Sequence, residues 1–186
     1  MINEVLIGGA GGQGVMLAGQ LLAYAAVKDQ NNSSCLPAYG PEMRGGTAYC
    51  TVIVSDEHII TPLCNSPKAA ILLNEPSYIK FRKTVASGGF IIANSSLIKN
   101  GLEGEDVKII PIPCNDIALQ SGSINAVNMV ALGAYIAISK AVTFDSINMS
   151  MEELMARRKQ MIPLNQKAME EGALLGEKFM VNNHVR

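Results

Sequence analysis

The stretch Val5-Leu6-Ile7-Gly8-Gly9-Ala10-Gly11-Gly12-Gln13-Gly14-Val15-Met16-Leu17-Ala18 decides how the chain begins to fold. A short apolar run stops at glycines, and from Val15 the apolar residues recur at Val15, Ala18, Leu22 and Ala26. That spacing is helical, so the stretch reads as strand, glycine turn, helix. Downstream, the runs 48–54, 70–73, 90–93 and 107–110 read as further strands from their β-branched and apolar residues and flanking glycines or prolines, and 33–36, ending at Pro37, reads as the second strand. Helices are expected at 77–85, entered through Pro76, and from Asn115, whose side chain is suited to capping. Strands alternating with helices predict an α/β three-layer sandwich: a mostly parallel sheet flanked by helices.

After Ile124 the strand pattern stops. The expected helix 125–140 is apolar around its circumference and must be covered on every side. The interior of the domain and a subunit interface are both open as its cover. Eleven of the thirty-one charged residues fall beyond residue 150, among them Arg157-Arg158-Lys159, which reads as a solvated helix face. Pro163 opens a last helix with Ala168, Gly172, Leu175 and Phe179 on one stripe. One domain over 1–186 is expected, with 150–186 a docked helical tail and no internal repeat.

With 48% apolar and 17% charged residues, the chain is not a disordered one. Its net charge of −1 supplies no broad field for nucleic acid or an anionic membrane. The longest apolar run, 129–138, is half the length of a membrane span of about 20 residues. No secretory pattern opens the chain, and a cytoplasmic location is expected. Cys35, Cys50, Cys64 and Cys114 show no CxxC spacing and read as reduced thiols. His58 and His184 lack a partner at ligand spacing, so no metal site is expected, and His58 reads as part of a hairpin turn at 56–58.

Within the first turn, Gly9, Gly11 and Gly14 satisfy G-x-G-x-x-G between a strand and a helix. Glycines permit close backbone approach, and the free N–H groups of a helix start attract an anion. A bare tight turn without ligand is the plainer reading. A dinucleotide site also wants an acid about 20 residues on, at the end of the second strand, and from the expected strand 33–36 onward none occurs before Glu42. The loop Gly40-Pro41-Glu42-Met43-Arg44-Gly45-Gly46 sets a charged pair between glycines, where Arg44 can grip a phosphate or simply pair with Glu42. Asn94-Ser95-Ser96 follows a strand at the same expected edge, and by itself reads equally as a helix cap. No nucleophile, base or carboxylate pair is spaced for catalysis.

Taken together, residues 8–23, the run Tyr39-Gly40-Pro41-Glu42-Met43-Arg44-Gly45-Gly46-Thr47-Ala48, residues 94–98 and residues 128–134 resemble the gamma subunit of 2-oxoacid:ferredoxin oxidoreductases, the pyruvate/2-ketoisovalerate gamma type, and the 2-oxoglutarate branch most closely. The resemblance implies one subunit of a hetero-oligomeric enzyme of anaerobic metabolism. Such an enzyme oxidatively decarboxylates a 2-oxoacid on thiamine diphosphate, reduces ferredoxin through iron-sulfur clusters and forms an acyl-coenzyme A. It places the thiamine and the clusters on alpha, beta and ferredoxin-like delta partners. By the same resemblance Gly9, Gly11, Gly12, Gln13, Gly14, Glu42, Arg44, Gly45, Gly46, Asn94 and Ser95 line the coenzyme A or subunit-contact edge, with no catalytic or metal-binding residue on this chain. Self-association of the isolated chain is a further expectation. The alternative from the glycine turn alone is an independent Rossmann-like dinucleotide oxidoreductase.

Overall fold

Val5, Leu6 and Ile7 are all buried and point alternately to the two faces of the sheet, so the strand that carries them lies in its middle. A computed structural model describes residues 1–39, 47–104 and 106–182. The elements are β1 (Ile2–Ala10), α1 (Val15–Lys28), β2 (Asn32–Tyr39), β3 (Thr47–Ser55), β4 (Ala69–Leu72), α2 (Glu75–Phe81), β5 (Phe90–Asn94), β6 (Lys108–Ile112), α3 (Cys114–Gln120), α4 (Val127–Ser139), α5 (Phe144–Leu154) and α6 (Ile162–Asn182). The strand order is β2-β3-β1-β4-β5-β6. β1, β4, β5 and β6 pair in parallel, while β3 runs antiparallel to both β1 and β2. The α/β class is as the alternation predicts, with β3 the one reversed strand among the described residues.

Two apolar layers sandwich the sheet. On one face Val5, Ile7, Ile71, Ile92 and Ile110 pack under α1, α4 and α6. On the other, Leu6, Leu72, Ile91 and Ala93 pack with Tyr78 and Phe81 of α2. α4 is covered inside the domain: every residue from Val127 to Ala137 is buried, which answers the question its greasy circumference raised. α6 is its main cover, and the two approach so closely that a Cβ on Gly172 would stand 1.9 Å from the Val130 carbonyl oxygen.

Four local expectations are corrected. Residues 56–58 form no hairpin: β3 and β4 lie on opposite sides of β1, so 56–68 must cross from one flank to the other. Asp56 holds the N-terminal ammonium of Met1 there, and His58 is exposed. α2 ends at Phe81 and continues as a 3₁₀ turn, Arg82–Thr84. Asn115 does not cap α3, which begins one residue earlier at Cys114. Finally, Arg157-Arg158-Lys159 do not form a helix face but a 3₁₀ segment, Ala156–Met161, with a kink at Arg158 (φ −135°, ψ 40°). α5 already starts at Phe144, so the helical C-terminal region opens ahead of residue 150.

Candidate functional site

The turn between β1 and α1 stands at the carboxyl edge of the sheet, the usual ligand edge of open α/β sheets. Gly12 and Gly14 both have positive φ (92° and 73°), a conformation that side chains rarely accept. Gly9 is tight for a different reason: its Cβ would meet the Gln13 Oε1 at 2.8 Å. Gln13 folds back over the turn, its Oε1 accepting from Ala10 N at 2.7 Å while its own N–H donates to the Ala10 carbonyl at 3.1 Å. Gly11 has open space where its Cβ would go. Gly14 caps α1 with no side-chain hydrogen bond, so the first-turn amides of this 14-residue helix face outward from the turn without a capping side chain.

A polar seam continues from the turn along the strand ends. The Leu73 carbonyl accepts from Gln13 Nε2 at 3.5 Å and from Asn94 Nδ2 at 2.9 Å. Asn94 Nδ2 also donates to Asn115 Oδ1 at 2.8 Å, and Asn94 Oδ1 accepts from Cys114 N and Ser96 N. The Asn94 amide is therefore fully engaged inside the fold, and the residue is completely buried. It ties β4, β5 and α3 together behind the edge. The Ser95 N–H donates to the Ile112 carbonyl. Cys114, buried beside this seam, has its thiol pushed far above its ordinary pKa by desolvation, which suits a structural role.

Glu42, Arg44, Gly45 and Gly46 lie outside the described residues. The ends that flank their segment are described: Ala10 pairs with Thr47 and Tyr39 pairs with Ala48, so both ends sit at the glycine-turn edge. The structure thus brings Gly9, Gly11, Gly12, Gln13 and Gly14 together with the Asn94–Ser95 strand end.

Asn128 was not among the candidates that the sequence motifs gave. It stands in the first turn of α4, 2% exposed, and its Nδ2 donates to the Gly14 carbonyl at 3.0 Å. A Cβ on Gly14 would lie 2.4 Å from that nitrogen. Its Oδ1 has no hydrogen-bond partner. One amide within a run of apolar residues was the available signal. Among the described residues no three His, Cys, Asp or Glu side chains converge to hold a metal, and no helix is long and apolar enough to cross a membrane.

Comparison with known proteins fits this arrangement. Residues 4–175 match the family described as pyruvate ferredoxin/flavodoxin oxidoreductase. Ketoisovalerate oxidoreductase subunit VorA of Methanothermobacter thermautotrophicus is 35% identical over 171 residues, 91% of this chain but only 35% of that protein. 2-Oxoglutarate synthase subunit KorC of Methanocaldococcus jannaschii is 33% identical over 150 residues, 79% of this chain and 80% of its own. The crystal structure of a keto/oxoacid ferredoxin oxidoreductase gamma subunit from Geobacter sulfurreducens superposes with a TM-score of 0.80 at 28% identity, covering 94% of this chain and 98% of that one. The chain therefore spans about a third of one relative and most of the others.

Proposed function

The chain belongs to the pyruvate ferredoxin/flavodoxin oxidoreductase family as a gamma-type, non-catalytic subunit, and on that premise we propose that it completes the coenzyme A side of a 2-oxoacid:ferredoxin oxidoreductase acting on 2-oxoglutarate. Partner alpha, beta and ferredoxin-like delta chains hold the thiamine diphosphate and iron-sulfur clusters, which supply decarboxylation and electron transfer to ferredoxin. This chain's part is to bind and orient. The observation that carries the reading is the uncapped start of α1 beside Gly12 and Gly14, at the carboxyl edge of the sheet. Backbone N–H groups there favour the phosphates of coenzyme A. Arg44, in a segment whose two ends reach the same edge, adds a charge-assisted contact.

The strand order speaks against the independent dinucleotide enzyme. In that fold the strand after α1 lies beside β1 and ends in the ribose-binding acid. Here β3 occupies that flank and β2 is displaced to the outer edge.

The test uses the assembled complex. Gly11→Asp sets a negative charge at the turn without a steric conflict, because its Cβ position is open. Gly11→Asp and Arg44→Ala are each expected to raise KM for coenzyme A about tenfold, as one charge-assisted contact is worth, with kcat at saturation little changed. An unchanged KM in both variants refutes the coenzyme A side. Comparing 2-oxoglutarate, pyruvate and 2-oxoisovalerate as substrates tests the branch.

A further inference from the structure

The strand register brings together two thiols that the sequence keeps apart. Cys35 on β2 stands opposite Val52, and Cys50 on β3 stands opposite Pro37, so the two cysteines are diagonal neighbours whose side chains leave the same face of the sheet. That face lies under α1, where Gly19 stands over both sulfurs: a Cβ there would meet Cys50 Sγ at 2.5 Å and Cys35 Sγ at 3.3 Å. Glycine inside a helix is unfavourable against alanine, and here it leaves the room that the sulfur pair fills. The two thiols share a hydrogen bond in which Cys50 keeps its proton and Cys35 accepts. The Val15 carbonyl oxygen, 3.7 Å from Cys50 Sγ, is a second acceptor for the Cys50 thiol. Access separates the two roles. Cys35 is half-buried and Cys50 is fully buried. The hydrogen bond from Cys50 also holds Cys35 below its ordinary value, which favours the thiolate, the reactive form. Cys64, beside Glu4, and Cys114, beside the Asn94 seam, have raised thiols.

From this arrangement we propose that Cys35 and Cys50 form a modification site, a dithiol that a hydroperoxide closes to an intramolecular disulfide. The Cys35 thiolate attacks one oxygen of the hydroperoxide. The O–O bond breaks, the sulfur becomes a sulfenic acid, and the leaving oxygen takes up the proton that Cys35 released. Cys50 Sγ then attacks the Cys35 sulfur, the S–O bond breaks, and hydroxide leaves with the Cys50 proton as water. The two sulfurs together lose two electrons, and the peroxide oxygens gain them. Cys50 needs no access to solvent for its step, because its target is the neighbouring sulfur. Among the described residues β2 is hydrogen-bonded on one side only, to β3, so this edge strand is free to adjust until the sulfurs reach the disulfide length of about 2.05 Å. Closure halts oxidation at a stage that a thiol reductant reverses, ahead of the irreversible acids.

The test treats the reduced full chain with hydrogen peroxide, confirms by circular dichroism that it stays folded, and maps the unreduced digest by mass spectrometry. A peptide pair joined through Cys35 and Cys50 is expected, with two of the four thiols lost and both recovered on adding dithiothreitol. Cys50→Ala is expected to stop at the Cys35 sulfenic acid, which dimedone traps, and Cys35→Ser to leave the Cys50 thiol unmodified in the folded chain. The proposal is overturned if the folded chain yields no bond between Cys35 and Cys50, if that bond forms only after unfolding in urea, or if Cys64 or Cys114 is oxidised ahead of Cys35.

Discussion

Replacing Gly172 by alanine probes the contact on which the helical layer rests. On helix propensity alone the change is favourable by about 1 kcal/mol, since glycine is a poor residue inside a helix. The neighbours oppose it. The new Cβ would lie 1.9 Å from the Val130 oxygen, 2.7 Å from its carbonyl carbon and 2.9 Å from its Cα. A carbon and a carbonyl oxygen approach no closer than about 3.3 Å, so α4 and α6 must separate locally by roughly 1.4 Å. All three obstructing atoms are backbone, so no rotamer change relieves the overlap. A gap of about 1 Å already forfeits up to half of each dispersion contact, and the separation spreads along α4, whose central residues are all buried. Overpacking typically costs about 1 to 3 kcal/mol, more when nothing yields. The net expectation is a loss of about 3 kcal/mol after the propensity gain, which for a chain of this size lowers Tm by roughly 6 to 12 °C. Thermal and urea unfolding followed by circular dichroism measure it, with Gly11→Ala as the control, expected within about 0.5 kcal/mol of the parent. The reciprocal contact, Gly133 against the Met169 oxygen at 1.9 Å, belongs to the same interface. Gly133→Ala combined with Gly172→Ala is therefore expected to cost less than the two singly, because the first separation makes room for the second Cβ. A Gly172→Ala chain that melts with or above the parent refutes the reasoning.

Two further outcomes follow from side-chain chemistry. Burial pushes the Asp29 carboxyl upward, but hydrogen bonds from Ser146 Oγ and from the Thr143 N–H and Oγ1 outweigh it and hold the group below its ordinary range. A depressed carboxylate contributes stability above its unfolded pKa and loses it as pH falls through the folded value. Asp29→Asn is thus expected to destabilise by about 1 kcal/mol at pH 7, and urea titrations repeated toward pH 3 should bring the two chains together; a gap that widens on acidification contradicts this. Among the thiols, the Cys50 hydrogen bond holds Cys35 below its ordinary value, desolvation and the nearby Glu4 push Cys64 to about 11, the hydrogen bond with Cys35 and then burial raise Cys50, and burial raises Cys114. Alkylation of the folded chain at pH 8, mapped by mass spectrometry, should therefore label Cys35 first and Cys50 and Cys114 only after unfolding.

The parts of the fold that the sequence made legible are those whose cause is local. Ala70-Ile71-Leu72 and Phe90-Ile91-Ile92-Ala93 are continuous apolar runs because both faces of β4 and β5 are buried, and such runs identify themselves. The glycine turn declared itself through glycines that only a positive φ or a close approach requires. What stayed hidden depends on partners distant in the chain. Nothing in Thr47–Ser55 says that β3 will run against β1, because that follows from pairing Ala10 with Thr47 and Tyr39 with Ala48 at one edge. Pro37 hints at the outer place of β2, since a proline is tolerated on an edge strand. α5 was obscured by its polar composition. Ile147 and Met151 are its buried apolar residues, Phe144 and Leu154 pack half-buried against the core, and its stability leans on Thr143 as N-cap and on Asp29 from the end of α1. Arg157, Arg158 and Lys159 are exposed, as a run of cations leads one to expect, and only the kink at Arg158 was not legible.

The reversed strand is also what separates this site from the dinucleotide site its glycine motif suggests. When a parallel strand follows α1 directly beside β1, its end supplies an acid next to the phosphate loop, and the ligand lies across the sheet edge. Inserting β3 between β1 and β2 removes that position. The described ends that flank residues 40–46, Tyr39 and Thr47, stand beside the turn. On the other side, Asn128 from α4 locks the Gly14 carbonyl. The same backbone cradle is thus flanked by an amide from a helix. Among the described residues, no strand end beside β1 offers the carboxylate that a dinucleotide site uses for ribose hydroxyls.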